Sequence, residues 1–351
     1  MRAEGESPDR VFWPGLEGLR GIAILMVFAF HLPWGAFRAG SYGVTIFFVL
    51  SGFLITTILT RELDSKGRID FRYFYERRAR RLLPALVGVV AGYLVLLAVV
   101  LKGPELWWPS AWPVLAYVSN YATILGRDLG HLTHTWSLAV EEHFYLLWPA
   151  LLVWIPRQHR WRTVLGATAL FTLWRGAIAL GASSDARVEF GTDANAFALL
   201  IGATLAIGRV EGRIGRGSRI GTALALAALI GIANLRIHFT HPSFRWGVIP
   251  VAALSAIAIA GATSEIIPWL ELRPLRWLGR ISYGLYLWHF VLISLPWETW
   301  PFRPLLWQIV VPLLVAGLSW RFIERPWLRK QSSRPALISA ALPARSSANR
   351  R

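Results

Sequence analysis

The feature that most limits the fold of this chain is a series of apolar runs, each close to the roughly 20 residues that cross the core of a lipid bilayer. Ten such runs occupy residues 14–34, 40–60, 82–101, 136–155, 163–181, 194–209, 219–237, 246–263, 281–297 and 304–322. Hydrophobic residues make up 55% of the 351-residue chain, whereas a soluble domain contains roughly 45–50%. Because a helix satisfies its own backbone hydrogen bonds in lipid, we expect an all-α membrane protein of about ten transmembrane helices in one bundle.

One further apolar segment, residues 104–125, is rich in Trp and interrupted by proline. Aromatic residues gather at membrane–water interfaces, and irregular backbone at membrane depth occurs where protein covers it. We therefore expect an interfacial or re-entrant segment here, not a full span.

The net charge of +17 would suggest a nucleic-acid partner if the protein were soluble. Here Lys and Arg concentrate before the first run, in alternate loops and after the last run, which is typical of cytoplasmic segments. This distribution predicts that both termini are cytoplasmic, with contacts to anionic lipid and no nucleic-acid partner. We expect a cytoplasmic tail over residues 1–11, one transmembrane domain over 12–328 and a disordered basic cytoplasmic tail over 329–351.

Several kinds of chemistry are excluded by the residues that are missing. The chain has no Cys, which removes thiol nucleophiles and thiolate metal sites. It also lacks the G-x-S-x-G nucleophile motif and the H-E-x-x-H zinc motif, so we expect no bound metal. His, Glu, Arg and Tyr within the apolar runs remain, and they suit general acid–base transfer.

The first run carries ionisable residues in "LEGLRGIAILMVFAFH". Arg20 and His31 are eleven positions apart, so a helix places them on one side, about 16 Å apart along its axis. Ionisable groups within a span usually face a bundle interior or a wet cavity. Two simpler interpretations stay open: Glu17 could pair with Arg20 at the interface, and His31 could be a core histidine.

A cluster of guanidinium groups follows the second run in "DFRYFYERRARRLLP". It contains Arg77, Arg78, Arg80 and Arg81. Such a cluster suits bidentate phosphate contacts, although ordinary positive-inside charge would look the same.

The fourth run opens with "HTWSLAVEEHFYLLWP", in which Glu141 and Glu142 are adjacent carboxylates. Ser137, Glu141 and Tyr145 follow a four-residue spacing and can share one helix face. Adjacent acids at a membrane boundary favour hydrogen bonding or proton transfer. The simpler interpretation is that the acids complement the dipole at the start of the helix, but it does not account for His134 nearby.

Two later motifs also carry polar groups. In "GRISYGLYLWHF", tyrosines such as Tyr283 are typical of a span entrance, whereas His289 inside the span is less ordinary. In "FIERPWLR", Glu324 and Arg325 end the last run, where we expect a structural pair.

Taken together, these motifs resemble the acyltransferase-3 family of integral-membrane, acyl-CoA-dependent O-acyltransferases, which includes bacterial O-antigen, peptidoglycan and exopolysaccharide O-acetylases. The similarity also includes "GVTIFFVLSGFLIT" and extends over residues 12 to 328. It implies a bundle of ten spans that takes an acyl group, with acetyl the commonest, from cytoplasmic acyl-CoA. The acceptor would be a hydroxyl, often on a cell-envelope sugar.

The resemblance also implies roles for individual residues. His31 would be the general base, and Arg20 would hold acyl-CoA or stabilise the oxyanion. Nucleotide phosphates would bind Arg77, Arg78 and Arg81, and Glu141 or Glu142 would orient a His or gate the pocket. Substrate contacts are expected from His134, Ser137, Tyr145, Tyr283, His289 and Asp193.

This chain departs from the family pattern at two places. His143 stands where the family usually has Gln, and "TDANAFALLIG" at 192–202 keeps Asp193 but has Asn195 and Phe197 in place of Arg and Asp. The second change puts an acceptor-side role for this loop in question.

We therefore expect a multi-pass O-acyltransferase of the plasma membrane, with acyl-CoA as donor substrate and no permanently bound cofactor. Two alternatives stay open. One is a transporter of an acyl or lipid-linked group that uses the buried His and Glu as a proton relay. The other is a membrane scaffold or sensor that has lost the chemistry.

Overall fold

A computed structural model of the chain describes residues 13–32, 38–101, 107–181, 184–235, 242–295 and 304–329. Within these ranges the regular structure is entirely helical. The predicted amino-terminal tail at 1–11 lies outside the described residues, and so does the predicted carboxyl-terminal tail from residue 330 onward.

The helices follow one another with short connections. They are α1 (Pro14–Phe30), α2 (Tyr42–Lys66), α3 (Phe71–Leu96), α4 (Trp107–Leu115), α5 (Ser119–Ile124), α6 (Trp136–Trp154), α7 (Arg157–Gly181), α8 (Asp185–Phe190), α9 (Thr192–Val210), α10 (Arg219–Ala233), α11 (Pro242–Ala262), α12 (Arg273–Ile293), α13 (Pro304–Ser319) and α14 (Arg325–Arg329). Three shorter turns complete the set: a π-helical turn at Leu97–Leu101, a 3₁₀ helix at Gly130–Thr135 and a π-helical turn at Trp320–Glu324.

The long helices of the described residues follow the predicted apolar runs in order, but several begin earlier. Helix α3 begins at Phe71, where Asp70 caps it by accepting a hydrogen bond from the Tyr73 amide at 2.9 Å. The arginine cluster is therefore part of the same rigid helix as the third apolar run. Helix α12 likewise begins at Arg273, ahead of its run.

Six helical segments of the described residues are long and apolar enough to cross a membrane. They are Tyr42–Lys66, Phe71–Val100, Arg157–Gly181, Asp185–Val210, Arg245–Ala262 and Leu306–Leu328.

Helices α1, α6, α10 and α12 are not among them. Helices α1 and α10 have only 17 and 15 described residues, α6 carries two adjacent Glu, and α12 carries three Arg in its first half. The chain is thus a multi-helix membrane protein in which three helices outside this set, α1, α6 and α12, carry predicted site residues.

The Trp-rich segment at 104–125 does not form one spanning helix. Its described part folds into α4, of nine residues, and α5, of six. At 1.5 Å per residue neither helix reaches across a bilayer core. The expectation that this segment is not a full span is confirmed.

Small residues bring the central helices close together. A Cβ added to Gly52 of α2 would overlap the carbonyl oxygen of Leu199 in α9, and one added to Gly202 would overlap that of Val49. Close approach of this kind is a recurrent way to pack helices in membranes, because lipid supplies little hydrophobic drive between them. The α2–α9 pair consequently forms the core of one half of the bundle.

Helix α1 lies between the two halves. It packs against α2 on one side and most extensively against α12 on the other, while α12 also contacts α3 and α13. Helix α6 packs against α2 and α9. Helix α1 is therefore in direct contact with the α12 motif, and its Arg20 lies within electrostatic range of Glu141 on α6 and Arg78 on α3.

Candidate active site

Helix α1 holds Arg20 and His31 on one side, as their spacing predicts, and both contact α12. The Arg20 guanidinium donates to the hydroxyl of Ser282 at 2.9 Å from Nη2 and 3.3 Å from Nε. The Nδ1 atom of His31 lies 3.3 Å from Nε2 of His289. The two ends of the α1 face are thus each fixed by a polar partner from the same neighbouring helix.

Three imidazole rings from three parts of the chain meet near the end of α1. The ring centroid of His289 is 4.9 Å from that of His31 and 5.4 Å from that of His134. Phe290 packs edge-on against His31 at 5.0 Å. His289 is fully buried, His134 is nearly so, and His31 is half-buried, so His31 is the most accessible ring of the three.

Tyr286 ties this histidine cluster to α6. Its hydroxyl donates to the backbone carbonyl of His134 at 2.6 Å and accepts from the hydroxyl of Ser137 at 2.6 Å. His134 precedes α6 in the 3₁₀ helix, and burial lowers the pKa of its imidazole well below the usual range. The ring is therefore neutral at physiological pH, and its Nε2–H donates to the carbonyl of Leu287 at 3.2 Å.

A second cluster combines the acids of α6 with Arg78. Glu141 accepts from the hydroxyl of Ser51 at 2.8 Å and from Tyr145 at 3.3 Å, which confirms that Glu141 and Tyr145 share a face. Glu142 instead pairs with the guanidinium of Arg78 at 3.3 Å. Adjacent carboxylates are accommodated by pointing them at different partners, because like charges repel at this range.

The family resemblance suggested that Glu141 or Glu142 orients a His side chain or gates the pocket, and the contacts bear on the first of these roles. The described contacts of Glu141 and Glu142 are to Ser51, Tyr145 and Arg78, and none is to an imidazole ring. A His-orienting role for either acid therefore has no contact to support it.

The simple interpretation of Glu17 and Arg20 as an interface pair is wrong. Glu17 accepts from Arg276 at 3.0 Å and lies 3.5 Å from Arg280, both in α12. Arg20 is left to Ser282, and it remains close enough to Glu141 and Glu17 for electrostatic attraction. These ion pairs hold the amino-terminal half of α1 against α12 and leave Arg20 free to bond to Ser282.

The predicted phosphate-binding arginines divide into different environments along α3. Arg78 is turned into the bundle, whereas the side chain of Arg81 is exposed and lies in electrostatic range of Arg20, Arg77 and Arg78. Arg80 pairs with Glu76 one turn earlier. Arg20, Arg77, Arg78 and Arg81 thus form one positively charged group at the junction of α1 and α3.

Glu324 is a buried acid that the sequence suggested only as a structural partner of Arg325. Its carboxylate accepts from Ser319 at 3.4 Å, and Arg325 instead stacks on Trp320. Arg81 and Arg20 lie in electrostatic range of the carboxylate. The π-helical turn at Trp320–Glu324 adds a residue to the helix and rotates Glu324 inward, and such turns often accompany functional sites. The sequence carries no signal for that turn.

Tyr283 lies at the edge of the same region. Its hydroxyl donates to the carbonyl of Leu82 in α3 at 3.0 Å, and the ring is half-buried. Leu82 follows Arg81 directly, so the bond fixes α12 against the arginine-bearing turn of α3.

Asp193 lies away from the histidine cluster in every contact described for it. Its carboxylate accepts from Trp174 at 2.7 Å and pairs with Arg187 at 2.6 Å. The residues that replace the family pattern beside it are structural: Asn195 donates to the carbonyls of Glu189 and Gly191, at 2.7 Å and 2.9 Å, and Phe197 is fully buried.

Within the described ranges, no group of three or more His, Asp or Glu side chains is arranged to hold a metal ion. The chemistry available at the site is therefore that of imidazole, carboxylate, guanidinium and hydroxyl groups. A base and a positively charged group lie on one helix face about 16 Å apart.

Comparison with known proteins adds an independent finding. Residues 13–323 match the family described as an acyltransferase domain. The chain is 32% identical to the peptidoglycan O-acetyltransferase OatA of Listeria monocytogenes, over 91% of this chain and 56% of that protein. It is 31% identical to the O-acetyltransferase OatA of Staphylococcus aureus, over 91% of this chain and 58% of that protein. The chain thus spans little more than half the length of these relatives, and no solved structure matches it.

Proposed function

Because the chain belongs to the acyltransferase domain family, we propose that it is a membrane O-acyltransferase that moves an acyl group, acetyl first among the candidates, from acyl-CoA to a hydroxyl. The relatives are named for O-acetylation, in one case of peptidoglycan, so a cell-envelope glycan is the proposed acceptor. The observation that carries the proposal is the pair Arg20 and His31, each fixed by α12 on one face of α1.

The donor would bind at the positively charged group of α1 and α3. Arg20, Arg77, Arg78 and Arg81 can meet the phosphates of coenzyme A through charge-assisted hydrogen bonds. Arg81 is the exposed member and would be reached first. The elongated pantetheine arm would then extend along α1 toward His31, with Tyr283 and Tyr145 beside its path.

His31 would act as the general base. Its ring nitrogen takes the proton of the acceptor hydroxyl as the oxygen attacks the thioester carbonyl, a role that contributes roughly 10²–10⁴ to the rate. The carbon–sulfur bond then breaks, and the thiolate of coenzyme A takes the proton back from His31. Atoms and charge balance without a covalent protein intermediate.

We further propose ten membrane spans, with both termini in the cytoplasm and the protein in the plasma membrane. The support is the order of the long helices and the concentration of Lys and Arg in alternate loops. In this orientation the amino-terminal end of α1, with Arg20, faces cytoplasmic acyl-CoA. The end with His31 faces the side on which envelope glycans are modified.

A transporter is the second candidate, since buried His and Glu could relay protons. In the described contacts the acids bond to Ser51, Tyr145 and Arg78, His31 bonds to His289, and His134 bonds to a backbone carbonyl. The family match supports the enzyme, which is therefore the first candidate.

The test measures thiol release from acetyl-CoA by the full chain in lipid nanodiscs, with and without glycan fragments from the cell envelope. We expect release that the glycan stimulates and that His31→Ala abolishes. A matched control is His159→Ala, since His159 is exposed at the amino-terminal end of α7. The proposal fails if no acyl-CoA in a series of chain lengths binds the protein.

A further inference from the structure

We propose that His289 is a positioning residue that holds His31 in the tautomer with its hydrogen on Nδ1, so that Nε2 is free to accept the proton of the acceptor hydroxyl. The inference rests on the proposed function for its catalytic consequence, but the hydrogen-bond geometry stands independently. It assigns an imidazole to the place that a carboxylate often takes beside a catalytic histidine.

The tautomer of His289 follows from its own contacts. Nδ1 lies 2.6 Å from the carbonyl oxygen of Tyr286 and 3.1 Å from that of Leu285. A carbonyl oxygen only accepts, so Nδ1 carries the hydrogen. The ring is fully buried and its described ring contacts are other aromatic side chains, so the neutral form is the stable one. Nε2 of His289 is therefore an acceptor.

The tautomer of His31 follows in turn. Its Nδ1 lies 3.3 Å from that Nε2 and 2.8 Å from the carbonyl oxygen of Val27. Both neighbours accept, so Nδ1 of His31 carries a hydrogen that the two share. The lone pair is left on Nε2, on the side of the ring away from both partners.

The two acceptors, the carbonyl oxygen of Val27 and Nε2 of His289, restrain the His31 ring in different ways. Val27 is four residues earlier on the same helix, and its carbonyl oxygen, at 2.8 Å, is the nearer acceptor of the shared hydrogen. His289 comes from α12, 258 positions along the chain, and approaches with its ring tilted at 66°. It fixes the ring plane in space and also accepts from the imidazolium that forms when His31 takes a proton.

His134 does not share this role. Its Nε2–H donates to Leu287, and its Nδ1 is buried without a hydrogen-bond partner in the described structure. It packs against His289 but is not hydrogen-bonded to it, so the positioning contact is specific to the His289–His31 pair.

The experiment compares His289→Ala with His289→Gln in the full chain in nanodiscs. The Gln side-chain oxygen can accept from Nδ1 of His31, whereas Ala cannot. Loss of the partner that orients a metal-bound His typically costs about 10–100-fold in activity, and we take that range as the scale expected for His31. We expect that fall in kcat for His289→Ala with KM for acetyl-CoA within twofold, and recovery of most of it in His289→Gln. His159→Gln is the matched control.

A second readout does not depend on turnover. With ring-¹⁵N histidine, solid-state NMR separates protonated from unprotonated ring nitrogens, and the His31 signals are those missing from His31→Gln. We expect a single Nδ1–H form in the parent and a mixture of tautomers in His289→Ala. An unchanged His31 spectrum in His289→Ala would overturn the inference. If the parent binds acyl-CoA but never turns over, the proposed function fails while the spectrum still decides the positioning role.

Discussion

The guanidinium carbon of Arg78 lies 3.5 Å from the centroid of the Tyr145 ring, while the same guanidinium pairs with Glu142 at 3.3 Å. One arginine therefore joins α3 to two turns of α6. Helix α3 carries the cationic group and α6 carries the acids, so this contact sets the distance between the proposed donor site and the rest of the bundle.

Replacing Arg78 tests that contact. Arg78→Ala leaves the part-buried Glu142 without its cation, and we expect a loss of about 1–3 kcal/mol in the free energy of unfolding. Arg78→Lys keeps the charge but not the planar stacking, so we expect recovery of less than half of that loss. Thermal unfolding in detergent, with Arg157→Ala on the exposed end of α7 as control, measures both. Full recovery of stability in Arg78→Lys would contradict the stacking role.

Removing the hydroxyl of Ser282 tests how Arg20 is held. Without that acceptor the guanidinium loses its hydrogen bonds from Nη2 and Nε. A hydrogen bond that involves a charged group is worth about 1.5–3 kcal/mol. We expect Ser282→Ala to raise KM for acetyl-CoA about five- to tenfold with kcat within threefold. Ser294→Ala is the matched control, because the described hydrogen bond of its hydroxyl is to the Phe290 carbonyl, away from Arg20. A fall in kcat at unchanged KM would place Arg20 at the reacting carbonyl instead.

The glycine contact between α2 and α9 gives a stability prediction. A Cβ at Gly52 overlaps the Leu199 carbonyl, so Gly52→Ala has to push two backbones apart and should cost about 1–3 kcal/mol. Gly166 in α7 has no atom within 4 Å of the same position, and Gly166→Ala should be neutral or stabilise by up to about 1 kcal/mol. Melting temperatures of the two variants in one detergent are the measurement. A neutral Gly52→Ala would contradict the close approach.

Replacing Asp193 tests whether the altered segment at 192–202, which forms the first half of α9, binds the acceptor. Its carboxylate is already engaged by Arg187 and Trp174, and ion pairs of such exposure contribute about 0–1 kcal/mol. We expect Asp193→Asn to keep kcat/KM for the glycan within threefold and to change stability little. A rise of tenfold or more in KM for the glycan, at unchanged KM for acetyl-CoA, would restore the predicted substrate-binding role.

Local sequence was sufficient wherever helix geometry alone decides the outcome. The eleven-residue separation of Arg20 and His31 put them on one side of α1, and the four-residue spacing put Glu141 and Tyr145 on one face of α6. The proline-interrupted segment at 104–125 was correctly excluded as a span. These properties depend on residues within a few turns of one another.

The sequence could not predict which side chains of different helices contact one another. Glu17 has Arg20 three positions away, but it pairs with Arg276 and Arg280 of α12 because those side chains approach it in the packed bundle. Glu324 is turned inward by a π-helical turn that no periodicity predicts.

The sequence by itself determined the helical membrane class, the order of the helices and which helices carry ionisable residues. Only the tertiary structure decided which of those residues meet: His31 with His289, Arg20 with Ser282 and Arg78 with Tyr145. The physical reason is that helix formation depends on hydrogen bonds four residues apart. The pairing of helix faces instead depends on the shape and polarity of side chains brought together from distant parts of the chain.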